Sequence, residues 1–119
     1  MASLVLVVED EPLIRFNVAE ALRSEGLEVV GLANGDDALQ VIQDRPDVKA
    51  IFTDINMPGM IDGLTLVKFV KDAYPGIALF VAYGRPSTSL LNQLPQGAKF
   101  YAKPYKVSEL VEAIKASIG

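Results

Sequence analysis

The 119-residue sequence contains no cysteine, no histidine and no tryptophan. Without cysteine there is no disulfide framework and no thiolate chemistry. Without histidine, imidazole catalysis and histidine ligation of a metal are both excluded. Positive charge is also short: 11 lysines and arginines stand against 15 acids, for a net charge of -4 and a pI near 4.7. Such a balance argues against nucleic acid as the main partner. No apolar run reaches membrane-spanning length. The start, Met1-Ala2-Ser3, has no basic region before its apolar stretch, and Glu9 and Asp10 follow at once, unlike a signal peptide. The expectation is a cytoplasmic protein with neither a membrane nor a nucleic-acid partner.

Half of the residues are hydrophobic, enough for one core in one domain, residues 1–119. Leu4 to Val8 is an unbroken aliphatic run and reads as a strand. Glu9, Asp10 and Glu11 follow, then Pro12, which suits the first turn of a helix with an acid before it as cap. Ile14, Val18, Ala21 and Leu22 recur at helical spacing, and Gly26 suits the stop. Leu27 to Ala33 reads as a second strand, and Asn34-Gly35 as a turn, with a helix starting at Asp36 or Asp37, facing inward through Ala38, Val41 and Ile42 and closed by Pro46.

Ala50 to Thr53 is a third apolar run, and it ends on Asp54. It shows no alternation, as expected of a strand buried on both faces of a parallel sheet. A third helix opens at Asp62-Gly63 and carries Leu64, Val67, Val70, Lys71 and Tyr74. Ile77 to Ala82 reads as strand four. Prolines at 86 and 95 limit the next helix to a short piece over Thr88 to Leu94. Lys99 to Ala102 reads as strand five, before Lys103-Pro104. A last helix, with Ser108 as cap, carries Leu110, Val111, Ile114 and Ile118. Five strands alternating with five helices, the fourth short, predict an α/β doubly wound parallel sheet of the flavodoxin type, order 2-1-3-4-5.

In such sheets ligands bind beyond the carboxyl ends of the strands. Glu9 and Asp10 follow strand one, Asp54 ends strand three and Lys103 follows strand five, so all four gather on one edge. Three carboxylates there are poorly compatible unless a cation joins them. A hard divalent ion held by carboxylates, a backbone carbonyl and water suits Mg²⁺. Asp10 and Asp54 are the direct ligands on this reading, with the carbonyl of Asn56 as a third and Glu9 holding a metal-bound water. Taken singly, Glu9 and Asp10 are ordinary capping acids, Lys103 a surface lysine and Asn56 a turn residue. Only their convergence points to chemistry.

The chain resembles a bacterial response-regulator receiver domain over its whole length. The matching residues are Glu9-Asp10, Asp54-Ile55-Asn56-Met57-Pro58, Asp62-Gly63 and Lys103-Pro104. The resemblance implies that Asp54 accepts a phosphoryl group from a phosphohistidine on a histidine kinase or histidine phosphotransfer protein. It implies Mg²⁺ at Asp10, Asp54 and the Asn56 carbonyl, charge neutralisation by Lys103, and a cis peptide before Pro104. It also implies action by protein–protein binding or phosphorelay.

Two positions depart from that family's pattern. Strand four ordinarily ends on Thr or Ser, whose hydroxyl bonds the phosphoryl group. Ala82 stands there instead, or Tyr83 if the alignment shifts by one and Ala82 is a small core residue; with Ala82 there, a backbone amide at Tyr83 or Gly84, or the hydroxyl of Ser87 or Thr88, is the expected substitute. The aromatic switch position, three before the lysine, is Phe100, which has no hydroxyl. The loop from Met57 to Gly63 is one residue longer than is usual, and Gly84-Arg85-Pro86 is similar to a subgroup of stand-alone receivers. Two rivals remain: an aspartate-nucleophile phosphatase of the haloacid dehalogenase type, which wants an acid where Asn56 stands, and a docking module indifferent to phosphorylation.

Overall fold

A computed structural model describes residues 3–56, 62–85 and 88–118. The strands are β1 (Leu4–Val8), β2 (Glu28–Leu32), β3 (Val48–Asp54), β4 (Ala78–Tyr83) and β5 (Lys99–Ala102). The helices are α1 (Pro12–Arg23), α2 (Gly35–Asp44), α3 (Gly63–Ala73), α4 (Thr88–Gln93) and α5 (Val107–Ile118). The strands are parallel in the order β2-β1-β3-β4-β5, as expected from the alternation of strands and helices.

Unbroken apolar strands are explained by two cores, one on each face of the sheet. Successive side chains point to opposite faces. Leu4, Leu6 and Val8 therefore join Ile51, Leu79 and Val81 against α2 and α3. Val5 and Val7 join Ala50, Phe52 and Phe80 against α1 and α5. Every residue of β1 is buried, and a polar residue anywhere in it would sit in one core or the other.

Several boundaries differ from the sequence reading, each for a local reason. β3 begins at Val48, two residues early. The register with β1 slips between Leu4 and Val5, so Leu4 pairs with Val48 and Val5 with Ala50, and the exposed Lys49 hides the strand's start in the sequence. β2 is shorter than expected: Leu32 carries its last rung, accepting from the Glu9 amide at 2.9 Å. β4 extends to Tyr83. α2 starts at Gly35, because the Asn34 side chain caps it by accepting from the Asp37 amide at 2.8 Å. α5 starts at Val107, so Ser108 lies inside the helix; the Lys106 carbonyl takes the Glu109 and Leu110 amides. Glu11 precedes α1 but makes no side-chain cap. Among the described residues, no helix is long and apolar enough to cross a membrane.

Candidate functional site

The site grows from the carboxyl ends of β1, β3 and β5. At the end of β1 the chain turns into α1, and the turn is held by Glu9 at three points. Its amide makes the last rung to Leu32, its carbonyl accepts from Arg15 Nη1 at 2.8 Å, and its Oε2 accepts from the Glu11 amide at 3.1 Å. The side chain that reads in the sequence as a solvated acid is 1% exposed. Its Oε1 has no hydrogen-bond partner and faces Lys103 Nζ at 3.8 Å. Burial pushes the Glu9 carboxyl up to about 7; the Glu11 amide and Lys103 oppose this, while Asp10 and Asp54 add to it.

Asp54 is the last residue of β3 and is buried. It pairs in register with Ala82, and the next amide, Ile55, donates to the Ala82 carbonyl at 3.0 Å. The ladder thus fixes the strand one residue past the carboxylate. Asp54 Oδ2 accepts from Lys103 Nζ at 2.7 Å, and Oδ1 accepts from the Asn56 amide at 3.3 Å. Lys103 is placed by its own amide, which donates to the Tyr83 carbonyl at 3.1 Å and so extends the β4–β5 ladder. The Lys103–Pro104 peptide is cis. Burial lowers the Lys103 pKa, but the hydrogen bond and charge of Asp54, with Glu9 and Asp10, outweigh it and leave the ammonium above its ordinary value.

Behind Asp54 lies Gly63, the first residue of α3. Its amide donates to the Ile55 carbonyl at 2.9 Å, and Asp62 caps the helix by accepting from the Thr65 amide at 2.8 Å. α3 therefore begins directly against the backbone that carries Asp54.

Glu9, Asp10 and Asp54 offer carboxylate oxygens within 4.8 Å of one another. Like charges this close repel one another unless a cation is present. The donor set is all oxygen, which matches a hard divalent cation and not a soft one. The unpartnered, buried Oε1 of Glu9 fits the same reading, since a bound ion or its water would satisfy it.

Ala82 pairs with Asp54 in register but is fully buried in the α1–α5 core, and Tyr83, not Ala82, ends β4. Phe100 pairs with Val81, one step away, and packs half-buried against the α2–α3 core on the opposite face. Ala82's registered neighbour is Tyr101. A cavity of about 370 Å³ opens over the carboxylate, lined by Asp54, Asn56, Tyr83, Gly84, Arg85 and Lys103. Three contributors escaped the sequence reading: Arg15, which braces the Glu9 carbonyl; Gly63, as a packing constraint; and Arg85, on the cavity wall. For Arg15 and Arg85 nothing in the local sequence signals the role. For Gly63, the Asp-Gly pair opening a helix was the available clue. Met57, Pro58, Pro86 and Ser87 lie outside the described residues.

Residues 5–115 match the family model of the response regulator receiver domain. The chain is 32% identical over 119 residues to the DNA-binding transcriptional regulator NtrC of Escherichia coli K12, covering 98% of this chain and 25% of that protein. It is 32% identical over 114 residues to the sensor kinase CckA of Brucella abortus, covering 93% of this chain and 12% of that protein. The crystal structure of NtrX from Brucella abortus, in complex with ADP, superposes with a TM-score of 0.83 at 32% identity, over 99% of this chain and 27% of that one. The chain thus spans about a quarter or less of these relatives' length.

Proposed function

The chain belongs to the response regulator receiver domain family, the phosphoacceptor modules of two-component signalling, and on that premise we propose that Asp54 is the residue phosphorylated, with Mg²⁺ as cofactor. The observation that carries the reading is the buried Asp54 carboxylate, paired to Lys103 at 2.7 Å within a cluster of three acids at the strand ends.

Asp54 attacks the phosphorus of a phosphohistidine in line. The new O–P bond forms as the P–N bond breaks, and the imidazole departs with the bonding electron pair. The donor histidine lies outside these 119 residues, which contain none, on a histidine kinase or histidine phosphotransfer protein. Lys103 holds one Asp54 oxygen in the resting state. Once that carboxylate is phosphorylated, the Lys103 ammonium is free to neutralise a phosphoryl oxygen, as a point charge on a long stem. Asp10, Asp54 and the Asn56 carbonyl would hold the ion, with Glu9 holding its water. When bound, Mg²⁺ supplies charge neutralisation for the phosphoryl oxygens. Asp54 is consumed once per event, so the chain acts as an acceptor and not as a turnover catalyst.

The partner's approach is supported by α1. Leu13 and Phe16 are 75% and 60% exposed. Beside them a cavity of about 420 Å³ is lined by Ile14, Asn17 and Val18 of α1 and by Lys103, Pro104 and Tyr105. Lys103 belongs to both this apolar cavity and the acidic site. An exposed apolar surface of this kind suits a protein partner, and a helix seated there would bring its histidine near Asp54.

Intact mass spectrometry after acetyl phosphate and Mg²⁺ tests the reading. One phosphoryl group is expected, lost in Asp54→Asn and on chelation. A label that survives Asp54→Asn refutes the assignment. Ala82 favours a second reading, docking without phosphorylation, which equal partner affinity with and without a phosphodonor would support.

A further inference from the structure

Phosphorylation of Asp54 would leave the site with a charge problem. At rest, three carboxylates, one ammonium and one divalent cation balance. An aspartyl phosphate carries about one more negative charge than the carboxylate that it replaces. The phosphorylated site is then one positive charge short, in a half-buried setting where such an excess is costly.

Of the eleven lysines and arginines, two line the cavity over Asp54: Lys103 and Arg85. Lys103, which pairs with Asp54 and faces Glu9, is already counted in that balance. Arg85 makes no ion pair among the described residues. It is exposed, three residues past Ala82, on the loop leaving β4. A guanidinium presents several donors in a fixed planar fork that matches phosphoryl oxygens two at a time. Its long stem lets it reach across a cavity of about 370 Å³.

We propose that Arg85 reads the phosphoryl group in this chain. Its guanidinium closes on the phosphoryl oxygens of phosphorylated Asp54 and provides the missing positive charge. Tyr83 also lines the cavity, but its ring packs against the α2–α3 core, which commits its body elsewhere. This inference rests on Asp54 being the acceptor.

The test is beryllofluoride binding in the presence of Mg²⁺, as a stable mimic of the phosphoryl group, followed by NMR. The Arg85 Nε–H resonance is expected to shift on saturation. Arg85→Gln is expected to weaken beryllofluoride affinity about tenfold, the loss of one charge-assisted contact at a part-exposed site. Arg85→Lys should recover part of it. Mg²⁺ affinity without beryllofluoride should not weaken in Arg85→Gln, which separates the loss from misfolding. An unmoved Arg85 resonance, or wild-type affinity in Arg85→Gln, overturns the proposal. If the wild type itself binds no beryllofluoride and gains no phosphoryl mass, the acceptor reading fails and the role of Arg85 fails with it.

Discussion

Gly63 lies so close behind Asp54 that a Cβ on it would stand 2.0 Å from the Asp54 carbonyl oxygen and 2.7 Å from the Ile55 Cα. Both neighbours are backbone, and neither can swing away. Gly63→Ala must therefore push the start of α3 off the end of β3. Overpacking of this kind costs about 1–3 kcal/mol. The expected result is a lower thermal midpoint together with slower acetyl-phosphate labelling of Asp54. Normal labelling in a normally stable variant would show that the two elements separate without disturbing the carboxylate.

Lys103→Met keeps much of the side chain's bulk and removes its charge. Asp54 Oδ2 loses its 2.7 Å partner, and the buried Oε1 of Glu9 loses the ammonium that it faces. Because the lysine side chain is 29% exposed, the cost falls below that of breaking a fully buried pair, at about 1–3 kcal/mol. Urea denaturation without metal should show this loss, and mass spectrometry should show reduced phosphoryl uptake.

Glu9 sets the sign of a pH dependence in the metal-free protein. Its carboxyl is raised by burial from 4.5 to about 7, so between those values the folded chain holds a proton that the unfolded chain has released. Stability from this group is present below the lower value and is lost as pH rises through the higher one. The slope approaches about 1.4 kcal/mol per pH unit and the total is roughly 3 kcal/mol. Denaturation in chelator from pH 5 to 8 should show wild type losing stability relative to Glu9→Gln. Parallel curves would mean that Glu9 is ionised throughout.

Phe16→Ser addresses the partner surface. The ring is 60% exposed, so its removal should change stability by no more than about 0.5 kcal/mol. Phosphotransfer from a phosphohistidine protein should slow more than labelling by acetyl phosphate does. An equal effect on both donors would place the docking surface elsewhere.

Much of this was legible because the sheet makes it so. A parallel strand covered on both faces must be apolar throughout, and Leu4–Val8 and Ala50–Phe52 announce that directly. The strand order then brings Glu9, Asp10, Asp54 and Lys103 to one edge without any knowledge of side-chain conformation. What stayed hidden depends on three-dimensional approach. Lys49 masked the bulge at the start of β3. Glu9 looked solvated, since nothing in Glu9-Asp10-Glu11 says which acid turns inward. Ser108 looked like a cap because cap chemistry is local, yet the helix begins one residue before it. Arg85 stood out in the sequence only as part of Gly84-Arg85-Pro86, and its place over Asp54 is seen only once the cavity is seen.

The short α4 has no buried residue, and β5, four residues at the rim of the sheet, has none either. β1, by contrast, is wholly enclosed. The molecule is consequently lopsided in stiffness. Amide protons on the α4–β5 flank should trade with deuterated solvent well before those of β1 and β3. The acids are anchored in the stiff half, and the compliant half begins within a few residues of Arg85, so one added charge has only a lightly moored flank to displace.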